Sequence, residues 1–116
     1  MTQLAISLRN TLVDAWGSVS YEVSLHDGDP GSDGSNEIGG VSRQSVSFAD
    51  ASEGFAEADS DIVFNDVPGD GTEVTHVSLW DDTGDFLSGG ETTSEEFSNP
   101  GSYTLTELTI AINNPS

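Results

Sequence analysis

The chain has no cysteine, no lysine, only two arginines (Arg9 and Arg43) and no long hydrophobic run. Without cysteine there can be no disulfide, no thiol nucleophile and no thiolate metal site. Two cations against 21 Asp and Glu give a formal net charge of -19, which excludes a basic patch for nucleic acid. No segment approaches about 20 consecutive apolar residues, and no charged N-terminal region precedes an apolar run. Neither a membrane span nor a signal peptide is therefore expected. A phosphate-binding Gly-Lys-Ser/Thr is impossible without lysine, and no Gly-x-Ser-x-Gly turn occurs.

What is present is an acidic chain of 116 residues, 34% hydrophobic. By length this is a single domain, residues 1–116, with one core. The acids are spread along the whole sequence, so they form a coat and not a tail. Such a coat repels itself in dilute buffer, whereas in molar salt the Debye length falls to about 3 Å and the repulsion is screened. Abundant Asp, Thr, Ser and Gly with no lysine resembles the proteins of halophilic archaea and their viruses.

The apolar residues are clustered. Leu4, Leu8, Leu12 and Trp16 recur every four residues between Thr2, a possible N-cap, and Gly17, a natural stop. This spacing predicts one helix over about 2–15, its stripe packed on a sheet or docked on a neighbouring subunit. After Gly17 the period becomes two. Tyr21, Val23 and Leu25 alternate with Glu22, Ser24 and His26, and Val46 and Phe48 repeat the pattern in RQSVSF. IVFNDV (62–67) reads as a central strand closed by Pro68, Gly69 and Gly71. In VTHVSLWDD, Val77 and Leu79 oppose His76 and Trp80, ahead of a turn at Thr83 and Gly84. Near the C-terminus Tyr103 and Leu105 are odd-numbered while Leu108, Ile110 and Ile112 are even-numbered, so a bulge or bend is required near Thr106 and Glu107. Some six to eight short strands predict a mainly β fold: an antiparallel β-sandwich or jelly-roll-like domain over about 18–113 with one N-terminal α-helix.

Candidate chemistry is sparse. LHDGDPGSDGSNEIGG (25–40) places Asp27, Asp29, Asp33 and Glu37 among glycines, as a cation loop would. An EF-hand register started at Asp27 fails, because Gly31 and Ser32 occupy its fifth and sixth positions. A cation site of other geometry and a polar connector both stay open, the connector being the simpler. His26 and His76 would come close if their strands were neighbours, raw material for a metal site or a proton-transfer pair. Carboxylate pairs such as Asp81 and Asp82 carry no information in so acidic a chain. Trp80 is either a core residue or an exposed platform for sugar or protein. No catalytic residue, cofactor or firm metal site is assigned.

Taken in order, the helix, YEVSLH, DPG, NEIGG, the arginine of VSRQSVSF, VTHVSLWDDTG, LSGGE and GSYTLTELTIAIN resemble a family of small virion structural proteins of tailed viruses. These are tail-fibre-like, minor structural or capsid decoration proteins. The similarity runs from about residue 3 to 113. It is strongest at Leu25, His26, Asp29, Pro30, Gly31, Asn36 and Glu37, and at Thr75, His76, Leu79, Trp80 and Asp81. With the acidic composition it implies a non-enzymatic virion component of haloarchaeal-virus type, assembled in the host cytoplasm. Its place would be in a tail fibre or baseplate, or on the capsid as decoration or turret. The partners implied are copies of itself, other virion proteins and a host-surface receptor, with no nucleic acid and no membrane. Subunit contacts are expected from the helix and the acidic loop: Leu4, Leu8, Leu12, Asp29, Pro30, Asn36, Glu37 and Trp80. The alternatives are a receptor- or carbohydrate-binding β-sandwich module and, last, a hydrolase or metal-dependent enzyme.

Overall fold

A computed structural model describes residues 5–17 and 21–111. Helix α1 (Ile6–Gly17) is followed by β1 (Tyr21–His26), β2 (Gln44–Val46), β3 (Phe55–Glu57), β4 (Ile62–Val67), β5 (Thr72–Asp81), β6 (Phe86–Phe97), β7 (Gly101–Leu105) and β8 (Thr109–Ala111). All strand pairs are antiparallel. One sheet has the order β2-β1-β5-β6, and two smaller sheets are the pairs β3-β8 and β4-β7. The fold is mainly β and sandwich-like, with one helix at its N-terminal end.

Alternation along β1 decides where the core lies. Tyr21, Val23 and Leu25 lie opposite Asp81, Leu79 and Val77 of β5, and their apolar side chains join one cluster with Phe64, Val67, Tyr103, Leu105 and Ile110 from the small sheets and Val13 from the helix. Each fully buried Leu, Val or Phe contributes about 1.5–3 kcal/mol, and Leu25, Val23, Phe64 and Val67 are all essentially inaccessible. The other face of β1 carries Ser24 and His26. These are buried too, so the large sheet is covered on both sides along β1.

The C-terminal phase problem is solved by a break. The ladder stops at Leu105 and resumes at Thr109, and the two halves join different sheets: β7 pairs with β4, and β8 with β3. Tyr103, Leu105 and Ile110 can then all face the core despite their parity.

Two expectations change, and one strand has no counterpart in the sequence pattern. IVFNDV is not a central strand: β4 pairs only with β7 among the described strands, Val63 is exposed, and a register shift between Phe64 and Val67 turns both inward. Strand β6 carries no hydrophobic alternation and is almost wholly exposed; it forms because the turn after β5 returns the chain beside it.

The helix differs most. Val13 is fully buried, while Leu8 and Leu12 are 46% and 41% exposed. Val13 stands about 100° round the helix from Leu12 and about 140° from Leu8. Asn10 and Asp14, on the side away from Leu8, accept backbone N–H bonds from Gly54 and Ala51, both at 2.7 Å. The Tyr21 hydroxyl donates to the Trp16 carbonyl. These polar anchors turn the leucine stripe outward. Thr2 and Leu4 lie outside the described residues.

Candidate functional site

Residues 27–43 link β1 to β2 and fold back across the polar face of the large sheet. The loop closes on its own entrance: Asp27 N–H donates to the Asn36 carbonyl and Ile38 N–H to the Leu25 carbonyl, with His26 bridged to Glu37. Inside, Gly34 and Ser35 N–H both donate to the Pro30 carbonyl. The Asp29 carboxylate accepts from Gly31 N–H, and the Asn36 amide donates to the Asp29 carbonyl. Asn36 takes a left-handed φ of 66°, a conformation Asn tolerates better than most residues.

Beneath the loop lies a polar chain. His26 Nδ1 is 2.7 Å from the Ser35 carbonyl oxygen, which can only accept, so Nδ1 carries hydrogen. In the neutral ring Nε2 is then an acceptor, and the Ser24 hydroxyl 2.7 Å away donates to it. That same hydroxyl oxygen accepts from Trp80 Nε1–H at 2.7 Å. Indole, hydroxyl, imidazole and carbonyl are satisfied in one direction. A Ser Oγ at this distance from a His Nε2 has the spacing of a nucleophile and its base. Here both residues are buried and the oxygen is covered by the indole, so no substrate can reach it.

Trp80 is enclosed. The Arg43 guanidinium lies over its ring, Phe86 meets it edge-on at 5.4 Å and 74°, and Gly34 touches its rim: a Cβ at Gly34 would sit 2.4 Å from the indole. Arg43 is in turn held by a two-pronged pair with Glu37, at 2.9 and 3.0 Å. Pro30 is seated against Gly89 of β6.

The residues named from the sequence now have places. Asp29, Pro30, Asn36, Glu37, His26 and Trp80 come together, but as a cap that fastens the loop to the sheet. Pro30 and Trp80, expected at a subunit contact, are buried inside the chain. Asp33 accepts from Ser35 and Asp27 is exposed, so the four acids do not converge. His26 and His76 are directly opposite in the ladder, yet His26 spends both nitrogens as above and His76 bonds Thr75. Among the described residues no group of three or more His, Asp and Glu could hold a metal. Arg43, Ser24 and Gly34 were missed as cap members, since nothing local in the sequence links them to Trp80.

Two clefts flank β6. One of about 560 Å³ lies between Glu91, Thr92 and Thr93 and the β7 end from Tyr103 to Glu107. Tyr103 spans the two strands there: its hydroxyl donates to the Thr93 carbonyl at 2.6 Å and accepts from Thr92 Oγ1. The other, of about 250 Å³, runs from Trp16 along Val77–Leu79 to Leu108 and Ile110. Neither holds a histidine or a cation. Asp81 closes the β5–β6 turn, its carboxylate accepting from Thr83 N–H, the Thr83 hydroxyl and Asp85 N–H.

A protein-family model described as Podophage GP4 fiber I protein gp80 matches residues 8–110. A search of the curated proteins finds no match.

Proposed function

The chain belongs to the Gp80 family, described as podophage GP4 fiber I protein gp80, and from that premise we propose that it is a non-enzymatic building block of a tailed-virus fibre, present in several copies and adapted to concentrated salt. The family is one of fibre-like structural proteins, and its match is the observation that carries the reading, since it spans the fold from the first turn of α1 into β8. The description favours a fibre over capsid decoration or a turret. The cap points the same way: Asp29, Pro30, Asn36, Glu37 and Trp80, which carry part of the resemblance, are spent on holding a loop, and the Ser24–His26 contact is sealed.

A carbohydrate platform at Trp80 is disfavoured, because both ring and N–H are engaged internally. The high-salt setting, and with it a haloarchaeal virus as source, rests on the charge of -19 and the absence of lysine. Assembly would take place in the host cytoplasm, and the finished protein would reside in the virion. Immunogold labelling of purified particles tests the reading. Label at the tail is expected, whereas particles that lack the protein would overturn it.

A further inference from the structure

Helix α1 turns a charge-free apolar strip to solvent in a chain whose surface is otherwise acidic. Leu8 and Leu12 are 46% and 41% exposed, and Ala5 beside them is exposed as well. At about 100° per residue these three fall within a sector of about 60°. The single acid of the helix, Asp14, lies well outside that sector and is bonded to Ala51 N–H. On the flank of the strip stands Arg9, one of the two cations of the chain. Its guanidinium packs on Gly54 and its Nε is buried without a hydrogen-bond partner. The one ion pair among the described residues belongs to the other arginine.

A cation with no carboxylate at ion-pair distance among the described residues is an anomaly where 21 Asp and Glu are available. From this pairing we infer that the Leu8–Leu12 face of α1 docks a second copy of this chain, helix against helix, with Arg9 receiving a carboxylate of that copy. The occupant follows from charge. Two copies of -19 each repel wherever acids meet, and this strip offers contact without acids. A partner that satisfies Arg9 must be acidic, and a further copy of this chain is both acidic and, on the fibre reading on which this inference rests, repeated in the same particle. Partly exposed leucines at the centre of such a contact supply the desolvation energy, while the rim cation fixes register.

Sedimentation of the full chain in molar KCl over a concentration series tests the inference, alongside Leu8→Glu/Leu12→Glu and Arg9→Gln variants. Thermal melts confirm that each variant is folded; both leucines are exposed, so their replacement leaves the core intact. The wild type should self-associate. The double variant should weaken association by roughly a hundredfold or more, and Arg9→Gln should weaken it less. A wild type that stays monomeric at high micromolar concentration would overturn the inference, as would a double variant that associates like the wild type. If the wild type is monomeric and the double variant is lost from virus particles, the face docks another virion protein: the second-copy inference then fails while the fibre reading stands. Absence of the wild-type protein from particles defeats the fibre reading instead.

Discussion

The Arg43 guanidinium lies 3.7 Å from the centroid of the Trp80 ring, with Glu37 gripping it from the side. The stack joins the exit of the loop to the middle of the large sheet. It uses the properties in which arginine differs from lysine, a flat cation that stacks and a two-pronged donor. Arg43→Lys keeps the charge and loses both. It should destabilise the fold by about 1–2 kcal/mol, combining a stacking contribution of about 0.5–1 with a partly screened ion pair of similar size. Chemical denaturation at fixed salt reads this out, and a variant as stable as the parent would show the stack to be incidental.

Two buried serines on the same face give opposite expectations. Ser24 serves Trp80 and His26 together, so Ser24→Ala leaves two buried polar groups without a partner and should cost roughly 2–4 kcal/mol. The Ser78 hydroxyl is buried with no hydrogen-bond partner, so Ser78→Ala removes an unsatisfied group and should be neutral or mildly stabilising. Melting temperatures of the two variants side by side decide the matter; equal losses would mean the polar chain is wrongly drawn.

Gly34 and Gly40 share a φ of 82°, but only Gly34 faces the indole. Alanine at Gly40 incurs the left-handed backbone cost alone, about 1 kcal/mol. At Gly34 the same cost is joined by a clash with Trp80, for a total of roughly 2–4 kcal/mol. The difference between the variants isolates the contact, and tryptophan fluorescence would report whether the indole moves.

Asp81 sets the acid limit of the β5–β6 turn. Backbone N–H of Asp85, then the Thr83 hydroxyl, hold its carboxylate below the usual range. A folded pKa lower than the unfolded one gives stability that is complete above the unfolded value, near 3.9, and is lost as pH falls through the folded value. The stability gap between the wild type and Asp81→Asn should therefore be widest near neutrality and close below about pH 4. Urea titrations at several pH values measure it, and a gap that does not narrow as the pH falls below the unfolded value contradicts this role.

Salt acts on the whole coat. With -19 spread over the chain, the unfolding midpoint should rise steeply between dilute buffer and molar KCl as repulsion is screened. A midpoint indifferent to salt would remove the support for a high-salt habitat.

What the sequence by itself determined was the periodic part of the molecule. β1 and β5, the turn at Gly84, and the break after Leu105 are written in the parity of their apolar residues, because a two-residue period assigns each side chain to a face before any partner is known. The acidic composition, too, excluded a basic patch, and the lack of cysteine excluded thiol chemistry. The tertiary structure alone decided what those faces meet. Ser24, Gly34, Arg43 and Trp80 lie far apart in the chain, and no local pattern tells that a loop rich in glycine and acid returns to cover a tryptophan. The helix makes the same point from the other side. Its leucine stripe reads as a core face, yet Asn10 and Asp14 accept two backbone N–H bonds from a distant turn and, with the buried Val13, rotate it outward. Local periodicity fixes which residues share a face, and only long-range contacts choose which face is buried.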